Sequence, residues 1–165
     1  MSNLGRAQLD NNLLKDPDIG MTKDVNNALM RVKDDYLSDL LSKSEYPKTI
    51  QNKSEVADWH KLTPEETARK REEFDIKKAD LKRQWEDKNG NIWPQYDQDV
   101  YSDNGKLIRK TGNDYDVHHI QPLSMGGENE VSNITPLHAK IHYDKQGIHA
   151  YNSPYSKLDS LLGEI

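Results

Sequence analysis

The chain reads as an α+β protein in which a helical first half leads into a small unit of short strands and one further helix. Three observations predict this. Apolar residues recur at steps of three and four from Val25 to Leu40. The segment Thr63-Pro64-Glu65-Glu66 is a helix-start signal that opens a long charged stretch. Beyond Trp93-Pro94 the pattern changes to short segments divided by Asp103-Asn104-Gly105, Gly112-Asn113-Asp114 and Gly126-Gly127. A chain of 165 residues has room for one ordinary domain, or for a helical segment followed by a small domain of about 70 residues. The expected division is a flexible lead-in over 1–21, a helical region over 22–90 and a strand-bearing domain over 91–165.

Residues 1–21 carry Pro17 and Gly20 without a sustained period. From Thr22, a candidate N-cap, the spacing of Val25, Leu29, Val32, Tyr36 and Leu40 predicts a helix over about 21–41 with one apolar face. Pro47 and the polar stretch through Ser54 end it. The second helix starts after the capping residue Thr63 and runs to about Asp87, before Asn89-Gly90, with Phe74, Leu81 and Trp85 on its apolar face. Its run from Arg69 to Arg83 mixes both signs, as a solvated helix face does. Tyr115–Ile120 reads as one strand, Asn133–Thr135 as a second, and Pro136 to about Gln146 as a helix stopped by Gly147. A last helix begins at Ser153-Pro154 and returns Leu158, Leu161 and Leu162 to the core.

Composition narrows the chemistry. Hydrophobic residues make up 33% of the chain and charged residues 31%, so a large core is not expected. No apolar run approaches the ~20 residues that cross a bilayer, and residues 1–20 lack the basic and apolar regions of a secretory signal. With no cysteine, disulfides, thiolate metal sites and cysteine nucleophiles are excluded, leaving histidine and carboxylate for metal chemistry. The net charge of -5 opposes phosphate binding by long-range attraction. Lys106, Arg109 and Lys110 form a small basic group that can outweigh it locally.

Histidines carry the strongest functional signal: His118-His119, then Gly126-Gly127, Asn133, His138 and His142, all within 25 positions. Three imidazoles can hold one divalent ion while a fourth takes a proton from water. On a helix, His138 and His142 would project from the same side. Adjacent strand residues point to opposite faces, so His118 and His119 share a site only if the strand ends or distorts near Ile120, or if a substrate phosphate lies between them. Gly126-Gly127 permits a tight turn between the strands. Lys145 and His149 follow the helix and could contact phosphate; His60, beside Trp59, is expected to be structural.

Asp116-Val117-His118-His119-Ile120, Pro122-Leu123-Ser124, Gly126-Gly127, Asn133-Ile134 and the His138–His142 stretch together resemble the HNH, or ββα-metal, nucleases. The double histidine is similar to that of bacterial toxin nucleases: colicin and pyocin DNases, and the C-terminal toxin domains delivered by contact-dependent or type VI systems. The resemblance spans about 115–149. It implies a small ββα-metal (HNH) nuclease domain within 91–165 and a divalent metal ion, whether zinc, nickel or magnesium, on His118, His138 and His142. It further implies His119 as general base, Asn133 orienting that base, and Asp116 supporting the site. The spacing from Asn133 to His138 is shorter than in the colicin enzymes. Arg109, Lys110, Lys145 and His149 are the candidate substrate contacts. By the same resemblance the product is an antibacterial toxin that cuts DNA in the target-cell cytoplasm and is blocked in the producer by a cognate immunity protein.

Three readings compete with a DNase toxin. An RNase toxin could use the same site, because the motif addresses a phosphodiester and not a sugar. A phage or restriction HNH enzyme would carry a DNA-reading module, and none is evident. A non-catalytic module pinned by zinc would need a closed fourth ligand position, with no cysteine to close it.

Overall fold

The computed structural model describes residues 23–50 and 58–165. The expected lead-in over 1–21 and the candidate N-cap Thr22 lie outside them. The architecture is α+β: two long helices, two small antiparallel hairpins and two C-terminal helices. In chain order the elements are α1 (Lys23–Lys43), α2 (Pro64–Asn89), β1 (Val100–Tyr101), β2 (Leu107–Arg109), β3 (Asp116–His119), β4 (Ile134–Leu137), α3 (Ala139–Tyr143) and α4 (Pro154–Glu164).

Local chemistry sets the ends of α2. Thr63 accepts a hydrogen bond from the Glu66 amide while the Glu66 side chain accepts from the Thr63 amide, a complete capping box with Pro64 in the first turn. At the far end Gly90 adopts φ +67° and its amide donates to the Glu86 carbonyl, which a residue with a Cβ would do under strain. The burial of Leu81 and Trp85 follows the expected apolar face. On α1, Val25, Leu29, Tyr36 and Leu40 are buried as their spacing predicts.

The β3–β4 hairpin organises the molecule. It pairs in unbroken register, with Asp116 opposite Leu137, Val117 opposite Pro136, His118 opposite Thr135 and His119 opposite Ile134. Successive side chains therefore alternate between two faces. One face joins a core made by Leu29, Tyr36, Leu37 and Leu40 of α1 with Ile120, Leu137, Ile148, Leu158 and Leu162. The other meets α2, where Ile134 packs with Leu81, Trp85 and Trp93, and Val117 and Phe74 lie against them. A hairpin alone is marginal in water, whereas each fully buried Leu or Ile side chain contributes roughly 1.5–3 kcal/mol.

The third helix differs from expectation. Pro136 and Leu137 belong to β4, and α3 covers only Ala139–Tyr143. Pro136 lacks only the amide proton and is tolerated in a hairpin that pairs with no further strand among the described residues. The helix starts after His138, which caps it in an extended conformation.

The loop from β3 to β4 is tight because of its glycines. Gly126 has φ +93°, and a Cβ there would meet the His60 ring at 2.9 Å. A Cβ on Gly127 would lie 1.8 Å from the Gln121 carbonyl oxygen. The pair thus serves a turn, as expected, and His60 serves the packing of that turn.

Candidate metal centre and active site

Alternation along β3 sends the adjacent histidines to different neighbours. His118 faces α1 and α4, and His119 faces α2. The strand ends at His119 without a bulge, so both imidazoles border one pocket beside the strand end. Arg71, His118, His119, His142, Tyr143, His149 and Tyr155 are among its lining residues. Its volume of about 160 Å³ is below the roughly 300 Å³ at which small-molecule sites begin and suits a single phosphate linkage.

Three imidazoles, His118, His142 and His149, bring ligand nitrogens within 4.8 Å of one another. Each is held by a different element. The Tyr36 hydroxyl of α1 lies 2.7 Å from His118 Nε2. Asp116 Oδ2 of β3 lies 3.6 Å from His142 Nδ1, and Tyr155 of α4 packs its ring 4.0 Å from that of His149, centroid to centroid. Burial pushes His118 well below the usual imidazole range, with His142 and His149 adding to the effect. Neutral nitrogens are what a divalent cation requires. Among the described residues His142 Nδ1 is buried without a hydrogen-bond partner, and the carboxylate beside it is that of Asp116. Carboxylate, imidazole and ligand position in that order orient a metal-binding histidine. The donor set fits a divalent ion.

Asp116 is bound by both Arg109 Nε and Nη2 at 2.8 Å, and the Tyr96 hydroxyl donates to it at 3.1 Å. Burial raises its carboxyl, but His142 and the Arg109 guanidinium outweigh this and hold it well below the usual carboxylate range. Arg109 is consequently engaged inside the protein, where a substrate contact was expected.

His119 packs its ring edge-on to Phe74 at 4.8 Å, and its Nε2 lies 2.9 Å from Asn129 Oδ1. The Asn129 amide is fixed in orientation because its Nδ2 donates to the Lys70 carbonyl and to Glu73 Oε1. Oδ1 can only accept, so His119 Nε2 carries the proton and Nδ1 is the free basic nitrogen. Burial, against the opposing bond to Asn129, lowers His119 to about 4, so the ring is neutral near pH 7.

Two expected positions lie elsewhere. His138 is not on the helix face with His142: it is the cap of α3, its Nδ1 accepts from the Lys140 amide at 3.1 Å, and its ring packs edge-on against Tyr96 and Tyr115. Same-side projection needs both residues inside the helix, and His138 precedes it. Asn133 does not reach His119. It is buried, accepts from the Gln121 amide at 2.8 Å, and donates to the carbonyls of Gln121 and Glu128, which ties the loop together. Lys110 and Lys145 are exposed and are not among the pocket-lining residues.

Tyr36, Arg71, Asn129 and Tyr155 were not singled out from sequence as site residues. Tyr36 was legible only as a core position. Arg71 sat in the mixed-charge run of α2, although it has no ion-pair partner among the described residues and its charge is felt at His119 and His149. Asn129 follows the double glycine without any motif of its own.

A strand pair, a short helix and clustered imidazoles at their junction form a ββα arrangement with donors that could hold a metal ion, and residues 105–146 match the HNH endonuclease family. The match covers about a quarter of the chain. The chain is also 36% identical over 147 residues to Toxin YxiD of Bacillus subtilis (strain 168). The alignment covers 84% of this chain and 25% of that protein, so the chain spans about a quarter of its relative. No solved structure matches the chain significantly. Among the described residues, no helix is long and apolar enough to cross a membrane.

Proposed function

We propose that the chain is the nuclease part of a toxin and hydrolyses phosphodiester bonds in DNA, with a divalent ion on His118, His142 and His149 and with His119 as general base. The observation that carries this is the shared pocket: three clustered imidazoles on one side of the β3 end and a fourth, independently oriented, on the other. The burial of His118, His119 and His142, and the match of residues 105–146 to the HNH endonuclease family, support the reading.

When bound, the cation supplies positive charge that polarises the phosphate and offsets charge on the departing 3′ oxygen. Zinc or nickel is favoured by imidazole donors, and magnesium can serve turnover. The Arg71 guanidinium at the pocket is placed to hold a phosphate oxygen. His119 Nδ1 takes a proton from water as the water oxygen bonds to phosphorus. The bond from phosphorus to the 3′ oxygen breaks, and solvent protonates that oxygen. The products carry 5′-phosphate and 3′-hydroxyl ends. Such an activity calls for a cognate immunity protein in the producing cell, with cleavage in the cytoplasm of the recipient. The relative's description as a toxin supports this setting.

The test incubates purified chain with supercoiled plasmid and with total RNA, adding magnesium, nickel or zinc, beside EDTA. Plasmid cutting is expected only with metal. His119→Ala is expected to lose about 10²–10⁴-fold in rate while still binding metal. His149→Ala is expected to lose metal affinity and His138→Ala to keep it. The opposite pattern would return His138 to the ligand set, cutting of RNA alone would reassign the substrate, and metal uptake without cutting of either would favour a zinc-pinned binding module.

A further inference from the structure

We infer that Tyr36 is a positioning residue of the metal centre: its hydroxyl selects the ring nitrogen that His118 presents to the ion. The inference rests on the metal-site reading above. Tyr36 is fully buried on α1, 82 residues from His118 in sequence. Its hydroxyl lies 2.7 Å from His118 Nε2 and 2.7 Å from the Ile120 carbonyl oxygen.

A phenol has one proton to donate, and a carbonyl oxygen can only accept. The proton therefore goes to Ile120, and the phenol oxygen must accept from His118. That assigns the hydrogen of the neutral imidazole to Nε2 and leaves Nδ1 with its lone pair as the ligand atom. The reverse tautomer would set two acceptors against one proton in a buried site. Packing alone does not explain the hydroxyl. The Tyr36 ring meets Trp59 and Tyr155 edge-on, at 6.3 and 5.8 Å, contacts that a phenylalanine would keep. Tyr36 also lies outside the 105–146 stretch that matches the nuclease family, so the N-terminal helix contributes to a site whose ligands lie far downstream.

The test compares the full chain with Tyr36→Phe, and with Leu40→Ala as a control that removes core volume from the same helix without touching the hydroxyl. Cobalt(II) or zinc(II) affinity is measured by titration, and the His118 tautomer is read from nitrogen-15 ring shifts in metal-free protein. Tyr36→Phe is expected to weaken metal binding about 10–100-fold and to populate the Nδ1–H form. Leu40→Ala is expected to lower the melting temperature with metal affinity close to that of the parent. Equal affinity in Tyr36→Phe and the parent would overturn the inference, as would a drop matched by Leu40→Ala. So would an Nδ1–H form in the parent itself, which needs no variant to fold. A parent chain that binds no metal would overturn the metal-centre reading and this role together.

Discussion

At the scale of single residues, two asparagines in one loop have opposite duties. Asn129 touches the candidate base, whereas Asn133 holds backbone groups of its own loop. Asn129→Ala is expected to reduce kcat by about 10²-fold through loss of base orientation, with the melting curve little changed. Asn133→Ala leaves the Gln121 amide and two carbonyls short of partners and is expected to cost at least about 2 kcal/mol of stability. Steady-state cleavage and urea unfolding separate them. A stable Asn133→Ala with lost kcat would give the orienting role to Asn133. Sequence favoured Asn133 because motif order places an asparagine there. Which amide reaches which imidazole depends on the path of a loop turned by Gly126 and Gly127.

Among the elements, α2 is the one whose chemistry was read in advance and whose position was not. Its capping box and glycine stop follow from local rules, since both are made by residues within four positions of each other. Its tertiary anchor is a contact with the turn before β3: Lys82 donates to Asp114 Oδ2 at 2.8 Å and Gln95 donates to the same carboxylate. Lys82, against opposing burial and with help from Gln95, lowers the Asp114 carboxyl below its ordinary value. A carboxylate so shifted adds stability above its unfolded pKa, near ~3.9, and loses it as pH falls through the lower folded value. Asp114→Asn is therefore expected to destabilise at pH 7, by under about 1 kcal/mol because the pair is partly solvated. The difference from the parent should shrink as pH falls through that lower folded value, because the protonated aspartate, like asparagine, carries no charge. Thermal melts across pH check the sign. A gap that widens in acid would refute the assignment.

For the whole molecule, the hairpin carrying the histidines is enclosed by helices from both ends of the described chain. Trp59 belongs to the core on the α1 and α4 face, and Trp85 and Trp93 to the core on the α2 face. Because β3 and β4 contribute to both, unfolding is expected to be one transition in tryptophan fluorescence. Leu158→Ala, which empties a fully buried position on α4, should destabilise by about 2–5 kcal/mol and move the entire transition, by roughly 2–4 °C per kcal/mol. Two transitions, with only one displaced, would support the expected division between a helical region over 22–90 and a domain over 91–165. Sequence alone determined the α+β class, the starts of α2 and α4, the double-glycine turn and the family of the histidine motif. Those features are written in short-range spacing, capping chemistry and residue type. Only the tertiary structure decided that His149 joins His118 and His142 while His138 caps a helix, that Asn129 holds His119, and that Tyr36 and Arg71 reach the site from the N-terminal helices. The physical reason is range: a hydrogen bond between residues 82 positions apart leaves no period in the chain and exists only once two faces of one hairpin are packed.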